Sequence, residues 1–390
     1  MANLPRHCEE RSDEASQKTV EPRLRFPEFR GAEGWRVGSL ADVTEFVNQK
    51  TSVKSISTMN YVSTENLLPD YGGMVAASKL PATSSVTQYQ VGDVLISNIR
   101  PYLKKVWQAD RNGGASNDVV VVRTMGALSE SYLSLVLGND SFIAYVMRGA
   151  KGVKMPRGDI DSMRDYPVTY PCEREQQKIA GCLTSLDEVI AAQGQKVETL
   201  KTYKRGLMQQ LFPREGETLP RLRFPEFRNA PAWEVKPLSG VAENLDNKRI
   251  PITESEREKG NIPYYGASGV IDYVKDCLFD EDLLCISEDG ANLVARAYPI
   301  AFPISGKTWV NNHAHVLRFD AAATQKLVEL YLNFTDLRDF ITGMAQPKLN
   351  RAMLDSIQIP FPGHEEQEKI ASCLSFVDEQ IAIESEKFTS

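Results

Sequence analysis

The strongest constraint on this chain is that it repeats itself. Pro22 to Arg30 (PRLRFPEFR) recurs without a change as Pro220 to Arg228. The correspondence runs on through Trp35 and Trp233, Leu40 and Leu238, and Val43 and Val241, all 198 residues apart. A second pair of matching segments closes each copy: 171–191 and 362–382 agree at 12 of 21 positions, with an offset of 191. Just upstream, Gly152 and Pro156 correspond to Gly343 and Pro347. A self-match of this kind means two copies of one structural unit, each a globular segment followed by a charged amphipathic stretch. Between the matching edges, 50–150 barely aligns with 245–340. A kept frame around divergent interiors implies that the frame does a common job while each interior meets a different ligand. Drift alone would not leave nine identical residues at one edge.

The amphipathic stretches read as long helices. Ile179, Leu183, Leu186, Ile190, Gln193, Val197, Leu200, Lys204, Leu207 and Leu211 step alternately by four and three, the spacing of a helix that pairs with another helix. Gly194 and Gly206 weaken it by ~1 kcal/mol each against alanine. Glu173 and Glu175 suit the positive helix end, and Pro213 stops the run. At ~1.5 Å per residue the stretch 172–212 makes a rod of ~60 Å, nearly two turns of duplex DNA at ~34–36 Å each. The second copy keeps the register with Ile370, Leu374, Val377, Ile381, Glu384 and Phe388, each 191 residues after its counterpart. Two seams of one register most simply pack antiparallel. The second seam lacks a counterpart of Leu200 to Phe212, so part of the first should be left for another protein chain to cover, with a second copy as candidate.

Both interiors mix short strands with helices. Strands are expected at 91–97, 116–123, 283–287 and 312–318, and helices at 129–147 and 323–342. The fold class is therefore α+β, used twice. With 390 residues, 42% hydrophobic and 25% charged, the chain has material for two or three cores. No apolar run approaches the ~18–20 residues of a membrane span. The N-terminus carries Glu9, Glu10, Asp13 and Glu14 and no apolar h-region, so no secretory signal is expected there. Cys8, Cys172, Cys182, Cys277, Cys285 and Cys373 show no short paired spacing, so reduced thiols in a cytoplasmic protein are expected.

A search for catalytic machinery finds no phosphate loop, no dinucleotide fingerprint, no zinc-protease helix and no nucleophile elbow. His313 and His315 alternate on one strand face, but without a third ligand a polar strand face is the better reading than a metal site. Glu288, Asp289 and the run Asp280 to Asp282 read as solvated loop. What remains are loops rich in side chains that read DNA. Asn98, Arg100, Tyr102, Lys104 and Lys105 follow a strand, with Lys50 and Asn117 added to that set; Lys151, Lys154 and Arg157 lie before the helix. The second unit offers Asn247, Lys248, Arg249, Tyr264, Tyr265, Lys307, Asn311, Asn312, His313 and Lys348. Arginine can grip guanine, asparagine adenine, and lysine phosphate. The net charge of −7 contains no basic arm: 22–171 carries +3 and 213–362 carries −4. Polyanion contact must come from local clustering, not from overall field.

The duplicated layout, Pro-x-x-x-Glu-Gln-x-x-Ile-Ala at 171–180 and 362–371, the run Tyr203 to Pro213, and Gly92-Asp-Val-Leu-Ile with its following loop resemble the specificity (S, HsdS) subunits of type I restriction-modification systems. The resemblance covers essentially 22–390. It implies a flexible tail at 1–21, target recognition domains at 22–171 and 213–362, a proximal conserved helix at 172–212 and a shortened distal one at 363–390. These helices would form an antiparallel two-helix coiled coil separating the domains. Each domain would read one half of a split, asymmetric double-stranded DNA target. Modification subunits would dock on the conserved helices, with Glu175, Gln176, Glu366 and Gln367 as docking candidates, and a restriction subunit would join them. S-adenosylmethionine, ATP and Mg would be bound by those partners and not by this chain, which is itself no enzyme. The competing readings are a non-DNA scaffold, two globules on a coiled coil, and an enzyme whose site escapes recognition.

Overall fold

Residues 18–343 and 345–389 are described in a computed structural model, and the chain divides into two units, Met1–Val189 and Ile190–Ser390. At the centre of the first lies an antiparallel sheet with strands in the spatial order Thr44–Phe46, Val119–Thr124, Val94–Ser97, Val106–Gln108. The second unit repeats that order with Glu243–Asn244, Ala314–Arg318, Leu283–Ser287 and Ala301–Ile304. Side chains alternate across a strand, so Val94 and Ile96 enter one core with Leu40, Leu133 and Phe142. Leu95 enters another with Val62, Leu67 and Tyr89. In the second unit Leu284 and Ile286 face a core built on Leu327 and Ile359, while Leu283 and Cys285 face one built on Leu245 and Val310. A sheet covered on both faces needs no polar alternation, which is why these strands read as unbroken apolar runs. Gly92, at φ +89°, turns the chain into Val94–Ser97; a Cβ there would stand 2.2 Å from the Glu130 carboxyl carbon.

The expected helix at 129–147 is two, Glu130–Leu137 and Asp140–Gly149. Gly138 ends the first, and the Asn139 side chain accepts from the Ser141 N–H to start the second. The expected helix at 323–342 stops at Phe334, where the Arg296 guanidinium donates to the carbonyls of Leu332 and Thr335.

The identical edges of the repeat meet each other. Arg25 grips Glu175 bidentately at 2.9 and 2.8 Å and donates to the carbonyls of Ala32 and Glu33. Arg223 does the same with Glu366 at 2.8 and 2.7 Å and with the carbonyls of Ala230 and Pro231. Gln176 spans the Ser129 N–H and the carbonyls of Ala127 and Pro171; Gln367 donates to the Pro362 carbonyl and meets the Thr324 hydroxyl. All four of Glu175, Gln176, Glu366 and Gln367 are buried. Their expected role as docking residues is therefore corrected: they are used up inside the chain, locking each helix start onto its own unit. The tail is corrected in part. Thr19–Val20 forms a strand against Trp35–Ser39, which pairs with Pro167–Tyr170, while 1–17 lies outside the described residues.

The first long helix is Glu173–Leu211 and the second His364–Thr389. Within the second unit they pair antiparallel. The Gln193 amide donates to the Glu384 carboxylate and carbonyl, both at 2.7 Å, and Lys204 meets Asp378. Leu207, Met208 and Leu211 pack in one core with Ile370 and Leu374. Val197, Val377 and Leu374 are buried, and Leu200 and Ile381 partly so. Earlier on the first helix Ile179 packs on the first unit's core, but Leu183, Leu186 and Ile190 are exposed, at 40, 54 and 47%, so these expected seam members lie outside the hydrophobic cores of the described residues. Phe388 lies in the last turn, outside the residues whose side chains are described.

Candidate nucleic-acid interface

Both units carry the same backbone junction beside the end of their central strand. In the first, the Asn98 N–H donates to the Asp118 carbonyl at 2.8 Å, the Gly158 N–H to the Asn98 carbonyl at 3.0 Å, and the Arg100 N–H to the Pro156 carbonyl at 2.7 Å. Lys151 and Arg157 exchange two bonds of 2.9 Å across the loop. In the second, Glu288 N–H donates to His313, Leu349 N–H to Glu288 and Gly290 N–H to Pro347, at 2.9, 2.8 and 3.1 Å; Thr342 and Lys348 exchange two bonds of 2.8 Å. The repeated Gly-x-x-x-Pro, Gly152 to Pro156 and Gly343 to Pro347, is the hairpin that makes these contacts, with Gly152 at φ +97° and Gly343 at φ +80°.

On this common backbone the chemistry differs. In the first unit Arg157 pairs with Asp118 at 2.9 Å, and both remain largely open to solvent. Lys151 pairs with Asp159 at 2.8 Å and holds that carboxyl below its ordinary value. Arg100, exposed, has no side-chain partner among the described residues and sits at φ +52°. In the second unit His313 Nδ1 faces Asp289 Oδ2 at 2.7 Å, and Lys348 pairs with Glu288 at 3.0 Å. Beneath them His315 is buried, its Nδ1 2.6 Å from Asp246 Oδ2 and its Nε2 2.7 Å from the Leu349 carbonyl. Arg249 bridges Asp246 and Glu288. Burial pushes the Asp246 carboxyl up, but His315, the Val316 N–H and Arg249 together hold it below its ordinary value; Arg249 and Lys348 likewise outweigh burial at Glu288. Asp246, Glu288 and His315 place ligand atoms within 4.8 Å of one another. Both ring nitrogens of His315 already face oxygens, so the group is an ion network that anchors the junction.

Several expected contacts are corrected by their burial. Asn98 is only 5% exposed, and its Oδ1 lies where a Cβ on Gly158 would come within 2.7 Å; it faces inward, with no hydrogen-bond partner for that atom among the described residues. Tyr264 is buried under the Arg257 guanidinium, 4.6 Å from the ring centre. Asn311 is buried and accepts from the His313 N–H, and Arg249 is spent in the ion network. Lys104 pairs with Asp140, and Lys105 donates to the Thr64 carbonyl. Tyr265 is half-buried and stacks on Phe302. Lys50 donates to Asn117 at 2.9 Å, which brings those two together at the surface. Tyr102, Lys154, Asn247, Lys248, Lys307 and Asn312 are exposed. Asp118, Glu288 and Asp289 belong to the junctions and were missed. The signal that would have found them is the Gly-x-x-x-Pro match, since its partners must be the strand ends that it touches.

Comparison with known proteins adds the following. Residues 231–389 match the family described as the type I restriction modification DNA specificity domain. A putative type I restriction enzyme specificity subunit of Haemophilus influenzae is 36% identical over 141 residues, which covers 36% of this chain and 36% of that protein's length. The type I restriction enzyme MjaVIII specificity subunit of Methanocaldococcus jannaschii is 23% identical over 92% of this chain and 90% of its own. In fold, the chain is similar to the type I restriction-modification system S subunit from M. genitalium, with a TM-score of 0.62, 14% identity and 95% of each chain covered. A structure from work on complex assembly and conformational transition of the type I R-M system superposes with a TM-score of 0.56 at 17% identity, over 94% of this chain and 95% of that one.

Proposed function

We propose, from the match of residues 231–389 to the DNA specificity domain and the likeness to specificity subunits, that this chain is the DNA-reading subunit of a type I restriction-modification complex and carries no catalysis of its own. Each unit reads one part of a two-part duplex target. The observation that carries this reading is the pair of junctions: one backbone frame, built twice, presents different exposed polar side chains at matching positions. A scaffold without a ligand to discriminate has no use for that difference. Modification subunits supply adenine methylation with S-adenosylmethionine, and a restriction subunit supplies cleavage with ATP and Mg, in the cytoplasm. Among the described residues no helix is long and apolar enough to cross a membrane. The exposed stripe Leu183, Leu186, Val189 and Ile190 is what a partner chain, a second copy included, would cover.

Footprinting of the chain with its modification subunit tests this. Protection should fall in two short patches separated by an indifferent gap. Inserting one heptad within 179–211 should change the gap and leave the patches unchanged. Uniform protection, or none with the partner present, favours the scaffold reading. Methyl transfer by the isolated chain favours an enzyme.

A further inference from the structure

Resting on the DNA-reading function above, we propose that the two junctions are the base-reading sites of their units, the first selecting guanine through Arg100 and Arg157 and the second selecting cytosine through Asp289 and His313.

The backbone bonds make the positions comparable one by one. Asn98 answers to Glu288, Arg100 to Gly290, Asp118 to His313 and Arg157 to Lys348. Arg100 and Gly290 share a left-handed backbone, at φ +52° and +107°. Glycine takes that conformation without cost and a longer side chain does not. The second unit uses glycine there, so the frame alone does not need an arginine. A strained residue that persists with its side chain exposed and unpartnered among the described residues points to a task for that side chain.

The tasks follow from which groups donate. Arg100 and Arg157 are donor-only, and guanine is the base whose major-groove edge shows two acceptors side by side, O6 and N7. The Asp118 carboxylate pairs with the Arg157 guanidinium at 2.9 Å while both stay open to solvent, a pair that gives way readily to a base edge. The second junction is built the other way. Asp289 only accepts, and the His313 tautomer whose Nδ1–H points at that carboxylate, 2.7 Å away, turns Nε2 outward as a second acceptor. An acceptor-only pair is repelled by N7 of either purine and by thymine O4. It fits cytosine, whose edge shows the N4 amino donor alone. Gly290 leaves room in front of it, with nothing within 4 Å of where its Cβ would be.

Selection of bound duplexes from a randomised library tests the assignment, with the full chain at low salt, alone and with its modification subunit. The wild type should enrich a two-part motif with a required G·C pair in each part. Arg100→Gly relieves the backbone, so its melting temperature should not fall, yet it should lose preference at one G·C pair by about ten- to a hundredfold. Asp289→Asn puts a donor beside an acceptor, the pattern that suits adenine N6 and N7. It should convert the other required pair from G·C to A·T. If neither variant changes a motif that the wild type does enrich, the junctions are not the reading sites, although the chain reads DNA. A uniform loss of affinity with unchanged preferences makes Arg100 a phosphate contact and overturns the assignment too. No enrichment by the wild type, with the partner present, sinks the DNA-reading function itself.

Discussion

Arg25 and Arg223 each spend four of their five N–H donors inside their own unit, two on a buried carboxylate and two on carbonyls of the loop that follows the repeated motif. That explains why PRLRFPEFR and the Glu-Gln pair survive together: neither half of the lock works without the other. The sequence displays both halves but not their contact, because 150 residues separate Arg25 from Glu175 and nothing local couples them. The docking role that the resemblance implies for the Glu-Gln pairs does not fit their burial. Removing one side of a buried pair leaves the other charge stranded, so Glu366→Ala should cost on the order of 3 kcal/mol. Replacing both sides by methionine, Arg223→Met with Glu366→Met, should cost less than the single change. Urea unfolding of the three proteins checks the order, and a double variant worse than Glu366→Ala would refute it.

Helices were the most legible elements, since a seam with period near 3.5 leaves little else for the chain to form. What periodicity does not tell is which positions of two seams meet. Gln193 and Glu384, the polar members that sit 191 residues apart, turn out to face each other, and Lys204 finds Asp378. Polar pairs of this kind fix register at some cost to stability. The Gln193 amide, Lys196 and Lys387 hold the Glu384 carboxyl down to about 2. A carboxyl depressed in the folded state binds its proton more readily in the unfolded chain, so its contribution is whole above about 4.5 and is lost as pH falls toward about 2. Glu384→Gln should therefore lower the unfolding midpoint near neutrality, with the gap to wild type closing in acid. A gap that stays constant from pH 6 to pH 3 would count against the pairing. Gly206, with nothing within 4 Å of where its Cβ would be, needs no special backbone. Gly206→Ala should raise stability by about 0.5–1 kcal/mol in thermal unfolding.

At the scale of the whole molecule, the duplication was legible and its functional division only partly so. The frame reads off as matching text, but the divergent interiors carry no alignment from which to transfer a contact. Of the residues with DNA-reading chemistry, Asn98 beside a strand and Tyr264 within one were claimed by the core, while Arg100, Arg157, His313 and Lys348 in the loops stayed at the surface. The boundary of the interior matters for any exchange between relatives. The lock Arg25–Glu175 and the strand pair Trp35–Ser39 with Pro167–Tyr170 lie outside 44–158, and Gln176 meets that segment only through the backbone of Ala127 and Ser129, so a graft of it keeps the frame. A graft of 44–150 is different, because it moves Arg100 and Asp118 but leaves Arg157 behind on a loop bonded to both of their strands. The longer graft, taken from a relative with another target, should transfer that relative's base preference in one patch completely. The shorter graft should give a mixed preference in the same patch. Neither should touch the second patch, since Asp246, His315, Glu288 and Lys348 close their network inside the second unit. Duplex selection with the two grafted chains decides: a change in both patches, or identical results from the two grafts, would remove Arg157 from the reading surface.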